Sequence, residues 1–220
     1  MLETNVELRT ATLSVLRNER WMGKKFYCRH DGSIHKQSNG FFTNGRVKQL
    51  ETPSSADLAR LVKALKPTDA LCLGVPKDDI LSAAVTSRHR SEHLRKNGIN
   101  SIARTKEYFA FPEGEGWLLI DYDDKGIPKP IHEAIEAHGG VFQILLRMWP
   151  QLKQGDFVIK PSSSAGVHLP GTHPSNSTGF HMFVRLRNAS QVPKVLQALH
   201  ARCWDFGVGY HLISKSGQQL

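Results

Sequence analysis

A chain of 220 residues has room for a sizeable core, in one large domain or two small ones. Hydrophobic residues make up 40% and charged residues 22%, a balance that excludes a disordered or fibrous chain. Lys and Arg number 29 against 20 Asp and Glu, a formal charge of +9 that favours a polyanionic partner, nucleic acid first, over a merely soluble basic surface.

Phe26-Tyr27-Cys28 followed by Asp31-Gly32-Ser33 predicts a strand and a turn. Thr52-Pro53-Ser54-Ser55 predicts a helix start, with Ser54 or Ser55 as cap. Leu58, Leu61, Val62 and Leu65 then recur at helical spacing until Lys66-Pro67 stops the helix. Ala70 to Val75 suits a short buried strand. Residues 76–100 are polar and poorly periodic. Arg88, Arg90, Arg95, Lys96, Arg104 and Lys106 lie in this part or just past it, and form either a solvated basic surface or a nucleic-acid contact.

From Trp117 the order is clearer. Trp117 to Tyr122 is a predicted strand. Pro130 to His138 is a helix with Pro130 in its first turn, and after Gly139-Gly140 the stretch Val141 to Trp149 continues as helix until Pro150. Asp156 to Lys160 and Thr178 to Leu186 are strands, with Pro170 to Asn176 a loop insertion between them. Ser190 caps a helix carrying Val192, Val195, Leu196, Leu199 and Cys203, ended by Gly207. Tyr210 to Ser214 is a last strand. The order is βαββαβ, the split βαβ arrangement of ferredoxin-like and RNA-recognition folds, and the fold class is α+β.

Cys28, Cys72 and Cys203 are far apart and form no CxxC pair, which argues against a disulfide framework or zinc knuckle. Cys28, His30 and His35 lie close in the chain without a second ligand pair at zinc spacing. His168 and His173, in a Pro/Gly-rich loop, read as surface histidines. No stretch reaches the length of a membrane span, and Met1 to Arg9 lacks the basic start and apolar core of a signal peptide. The expected setting is intracellular and cytoplasmic, without a membrane partner.

The most informative stretch is Trp117-Leu118-Leu119-Ile120-Asp121-Tyr122-Asp123, an apolar run ending in two carboxylates two residues apart. On a strand, residues i and i+2 share a face, so Asp121 and Asp123 emerge side by side. Such a pair repels itself unless a cation sits between, and hard oxygen ligands suit Mg²⁺ or Mn²⁺. The plainer reading is a polar strand end leading into the turn Asp124-Lys125-Gly126. Alternation places His181, Phe183 and Arg185 on one face of the strand from Gly179 to Arg185, with Phe180, Met182 and Val184 on the other, towards the helices. If the first and third strands of the fold are neighbours, one open sheet face carries Asp121, Asp123, His181 and Arg185, a metal–phosphate site in outline.

These residues resemble the archaeo-eukaryotic primase superfamily, especially the primase-polymerase domains of phage and plasmid replication proteins. Asp121 and Asp123 match its DxD element. Ser177-Thr178-Gly179-Phe180-His181 is similar to its Ser-x-His element, with an extra residue or two between serine and histidine. Lys160-Pro161-Ser162-Ser163-Ser164-Ala165-Gly166 is similar to the Ser/Gly-rich lead-in. The resemblance runs from about Ala103 to the C-terminus. It implies an RNA-recognition-like catalytic core over residues 101–220, with residues 1–100 in the place of the extra N-terminal α/β module.

The resemblance implies a DNA primase or primase-polymerase that makes primers on a single-stranded DNA template from nucleoside triphosphates, with a replicative helicase as a possible partner. Asp121 and Asp123 are then the metal ligands. His181 holds the incoming triphosphate, with Lys160, Ser162, Ser163, Ser164, Ser177 and Arg185 as further nucleotide-binding candidates. Arg88, Arg90, Arg95, Lys96 and Arg104 are the nucleic-acid-binding candidates. One departure stands out. The family's third metal-binding acid follows the histidine on a later strand, but the only acid after His181 is Asp205, in a predicted helix. The expected place for that acid is beyond Leu220. Two other readings use the same residues: a metal-dependent nuclease, and a non-catalytic nucleic-acid-binding module whose exposed aromatics would be Phe183 and Trp117.

Overall fold

The computed structural model describes residues 10–31, 33–40, 42–124, 126–163, 165, 167–168, 171 and 179–211. The chain is α+β and divides into two compact units, Met1–Asp123 with Phe157–Ser190, and Asp124–Asp156 with Gln191–Leu220. The expected last strand fails at its first two residues, since Tyr210 and His211 are not in a strand, and its remainder lies outside the described residues.

The first unit is built on a mixed sheet of eight strands among the described residues. In chain order these are β1 (Ala11–Asn18), β4 (Gly45–Thr52), β5 (Asp69–Cys72), β7 (Ser82–Thr86), β8 (Ser101–Ala103), β10 (Gly116–Tyr122), β11 (Phe157–Pro161) and β12 (Phe180–Leu186). A separate ribbon pairs β2 (Gly23–Cys28) with β3 (Ile34–Asn39), and a short one pairs β6 (Val75–Pro76) with β9 (Phe109–Ala110). The helices of this unit are α1 (Ser55–Ala64) and α2 (Arg88–Lys96).

The sheet runs β11-β12-β10-β1-β4-β7-β8. β12 lies between β11 and β10, antiparallel to both, so the first and third strands of the C-terminal half are neighbours. β1 ties the halves together. It pairs antiparallel with β4 along its whole length, from Ala11↔Thr52 to Asn18↔Gly45. Its other edge is shared: Thr12 pairs with Gly116 of β10, and Ser14 to Arg17 pair with β5. Gly45 is required where β4 meets the end of β1, since a Cβ there would lie 1.9 Å from the Arg17 carbonyl oxygen.

Both faces of the sheet are buried. On one, Ala11, Leu13, Trp117 and Phe183 pack with Leu58 of α1. α1 forms here because Leu58, Leu61, Val62 and Leu65 make one apolar stripe and Ser54 caps it, accepting from the Asp57 N–H at 3.2 Å. On the other face, Leu16, Val47, Ala83, Val85 and Ile102 make a second cluster. A buried polar chain crosses the first: the Trp117 indole donates to Thr52 Oγ1 at 2.7 Å, and that hydroxyl donates to the Ala11 carbonyl at 2.9 Å.

Residues 76–100 are more ordered than their polarity predicts. They contain β7 and α2, and only Ser91 of α2 is buried. Its hydroxyl donates to the Ser101 carbonyl at 2.9 Å, a polar anchor in place of an apolar stripe.

The second unit holds α3 (Lys129–Ala137), α4 (Val141–Met148) and α5 (Val192–Asp205). Gly139 and Gly140, both at positive φ, turn α3 into α4. The Arg202 guanidinium of α5 donates to the Met148 carbonyl, and His138 Nε2 lies 3.3 Å from the Phe206 carbonyl. Gln191, not Ser190, is the cap position of α5. Ser190 sits in a 3-10 turn, where its hydroxyl donates to Asn188 Oδ1 at 2.8 Å. Among the described residues no helix is long and apolar enough to cross a membrane.

Candidate active site

The site stands at the carboxyl end of β10. Asp121 and Asp123 are both exposed there, Asp121 within the strand and Asp123 just past its last residue. Antiparallel register sets Asp121 opposite His181 and His181 opposite Lys160. Directly opposed residues share a face, so Lys160, His181 and Asp121 form one row across three strands, about 10 Å wide at the usual strand spacing. His181 Nε2 lies 3.2 Å from Asp121 Oδ1. The His181 side chain is 31% exposed and that of Asp121 63%, so solvent reaches both.

The serines stand next to the row. The Ser162 N–H donates to the Gly179 carbonyl at 2.9 Å, which closes the β11–β12 pair. A Cβ on Gly179 would come within 3.1 Å of the Tyr122 carbonyl oxygen and 3.2 Å of Ser162 Oγ, so glycine lets the three strand ends approach. Ser164 and Ser177 lie outside the described residues.

One residue that the sequence did not single out reaches this end of the sheet. Lys24 of β2 donates from Nζ to Ser163 Oγ at 3.1 Å. The pair is 139 positions apart in the chain. The only local sign is Lys24-Lys25 ahead of Phe26-Tyr27, a basic pair before aromatics on what proves to be an exposed ribbon.

The face carrying the row is not open along its length. Two residues further down β12, Phe183 is only 6% exposed, and Trp117 is fully buried. Both sit under α1, because the apolar stripe of that helix needs a partner and finds it there. Only the polar strand ends remain accessible. Arg185 is set apart from the row. It pairs with Trp117, four positions along β10 from Asp121, and its guanidinium contacts Glu115 Oε2 at 2.8 Å through Nε and 2.6 Å through Nη2.

The basic candidates lie elsewhere on the same unit. Arg88 pairs with Glu107 at 3.0 Å, and Arg95 lies over the Tyr108 ring, 5.1 Å from its centroid. Arg104 lies over Phe42 at 5.7 Å. Lys96 ends α2. Arg88, Arg90 and Arg104 line one cavity.

Asp205, the last residue of α5, is helical as expected. Among the described residues no three His, Cys, Asp or Glu side chains converge on one point. Two carboxylates nonetheless suit Mg²⁺, which is commonly held by one or two carboxylates plus substrate phosphates and water. The chain matches no protein-family model, no curated protein and no solved structure.

Proposed function

We propose that this chain is a template-directed nucleotidyltransferase of the DNA primase or primase-polymerase class. The observation that carries the reading is the Lys160–His181–Asp121 row, with Asp123 beside it at the same strand end. Acid, imidazole and ammonium in one accessible line are what a metal-bound triphosphate requires. Asp121 and Asp123 would hold Mg²⁺ or Mn²⁺. When bound, such an ion neutralises phosphate charge and makes a 3′-hydroxyl easier to deprotonate. His181 and Lys160 would hold the triphosphate, with Ser162, Ser163 and Lys24 at its flank.

The strand order supports the same reading. β11-β12-β10 is the order of three strands of an RNA-recognition-like core; β1 stands beside β10 but parallel to it, paired at Thr12–Gly116, whereas the fourth strand of that core runs antiparallel. The basic surface of α2 would take single-stranded template by its backbone, with deoxy- or ribonucleoside triphosphates as substrates and a helicase as partner. The burial of Phe183 weighs against a base-stacking module, which needs that ring exposed.

The test is primer synthesis on single-stranded DNA with Mg²⁺ or Mn²⁺. Replacing Asp121→Asn and Asp123→Asn together should abolish nucleotide incorporation while thermal stability without metal holds or rises, because two like charges are removed. Incorporation at the wild-type rate by the double variant would end the primase reading. Template degradation without incorporation would support a nuclease.

A further inference from the structure

The carboxyl ends of β7 and β8 open on a cavity of about 470 Å³. The strands run parallel, with Thr86 paired to Ala103, and α2 crosses from one to the other. Chain leaves strand for helix at Thr86-Ser87-Arg88, and all three residues line the cavity. In βαβ units anions bind at this place, because the first N–H groups of the helix have no partner within it.

The lining gives the independent argument. Arg88, Arg90 and Arg104 all face this space, and none of the lining residues is acidic. Among the described residues only Arg88 of the three has a carboxylate within ion-pairing distance, Glu107. Phe42 holds Arg104 in place without neutralising it. Thr105 also lines the cavity. Ser87 occupies the cap position of α2 but its hydroxyl makes no cap hydrogen bond. Three guanidiniums, two of them without a carboxylate within ion-pairing distance among the described residues, and a helix start converge on one concave space. Guanidinium forks match phosphate oxygens, and a terminal phosphate carries more charge and more free oxygens than an internal diester.

We propose that this cavity binds a phosphomonoester, supplied by a strand 5′ end or by a free mononucleotide, at a site separate from the Asp121 row. The proposal does not depend on the polymerase reading.

The experiment measures anisotropy of 3′-labelled single-stranded DNA decamers bearing a 5′-phosphate or a 5′-hydroxyl, at fixed salt. Calorimetry with a deoxynucleoside 5′-monophosphate runs beside it. The phosphorylated strand should bind about fivefold tighter or more, on the scale of a charge-assisted contact. Arg90→Gln with Arg104→Gln should abolish that preference. Lys153→Gln with Lys194→Gln, exposed residues carrying equal charge, should keep it. Arg90→Lys with Arg104→Lys should retain part of it if the glutamine variant melts early. Asp121→Asn with Asp123→Asn should leave it intact, which separates this site from the catalytic reading. Arginine-dependent binding of the mononucleotide alone would name free nucleotide as the source. Equal losses for phosphorylated and hydroxyl strands, with no arginine-dependent mononucleotide binding, would overturn the proposal.

Discussion

His181 Nε2 and Asp121 Oδ1 lie 3.2 Å apart across the β10–β12 ladder, although α3, α4 and β11 lie between them in the chain. An exposed pair of this kind contributes little to stability, within about 1 kcal/mol. On the proposed reading its role, at the mouth of a polar row, is to hold nucleotide. His181→Ala should therefore leave the melting temperature nearly unchanged. It should lower kcat/KM for nucleotide by about 2–4 kcal/mol of transition-state stabilisation. DNA affinity, resting on many separate phosphate contacts, should stay constant. A variant that loses DNA binding but keeps nucleotide affinity would contradict the role given to His181.

Lys24 tests whether the β2–β3 ribbon takes part in the site. If its ammonium serves the triphosphate and not only Ser163, Lys24→Gln should weaken nucleotide binding about tenfold, near 1.4 kcal/mol. Ser163→Ala should cost less, since it removes only the neutral partner. Calorimetric nucleotide titrations of both variants decide this. Equal, negligible effects would make the contact purely structural.

The Trp117–Thr52–Ala11 chain makes a stability prediction remote from the row. Thr52 is 2% exposed and Trp117 fully buried. Thr52→Val keeps the shape but leaves the indole N–H and the Ala11 carbonyl without this hydroxyl. The cost should be about 1–3 kcal/mol in urea unfolding. Leu58→Ala, opening a cavity against the same tryptophan, should cost about 2–5 kcal/mol.

Asp69 sets an acid limb. Its side chain is 3% exposed, and hydrogen bonding to the Arg17 guanidinium, with the Lys66 N–H and the positive charge of Arg17, holds its carboxyl below the ordinary carboxylate value. A depressed folded-state value means that stability is present above the unfolded value, near 4, and is lost as pH falls through the folded one. The stability gap between wild type and Asp69→Asn should be constant from neutral pH down to about 5 and shrink below about 4. A gap that widens on acidification would refute the assignment.

The elements that were legible have a local signal. The stripe Leu58, Leu61, Val62, Leu65 with its serine cap specifies α1, and the run from Trp117 to Tyr122 specifies β10. β1 escapes detection although Ala11-Thr12-Leu13-Ser14-Val15 alternates apolar and polar residues; Leu16 breaks the pattern, and Ser14 and Asn18 are buried on the other face with it. α2 escapes because Arg88-His89-Arg90-Ser91-Glu92-His93-Leu94-Arg95-Lys96 has no apolar stripe and is anchored by one buried hydroxyl.

The sequence by itself determined the α+β class, the spacing that puts Asp121 and Asp123 at one strand end, and the side of β12 on which His181 stands. Each of these follows from local period and alternation. Only the tertiary structure decided that Lys160 joins the row, that Lys24 reaches Ser163, that α1 covers Phe183 while leaving the strand ends accessible, and that three arginines surround one cavity. Those outcomes depend on strand register and on which apolar face finds which partner. Both are set by burial summed over residues far apart in the chain, and no local window contains that sum.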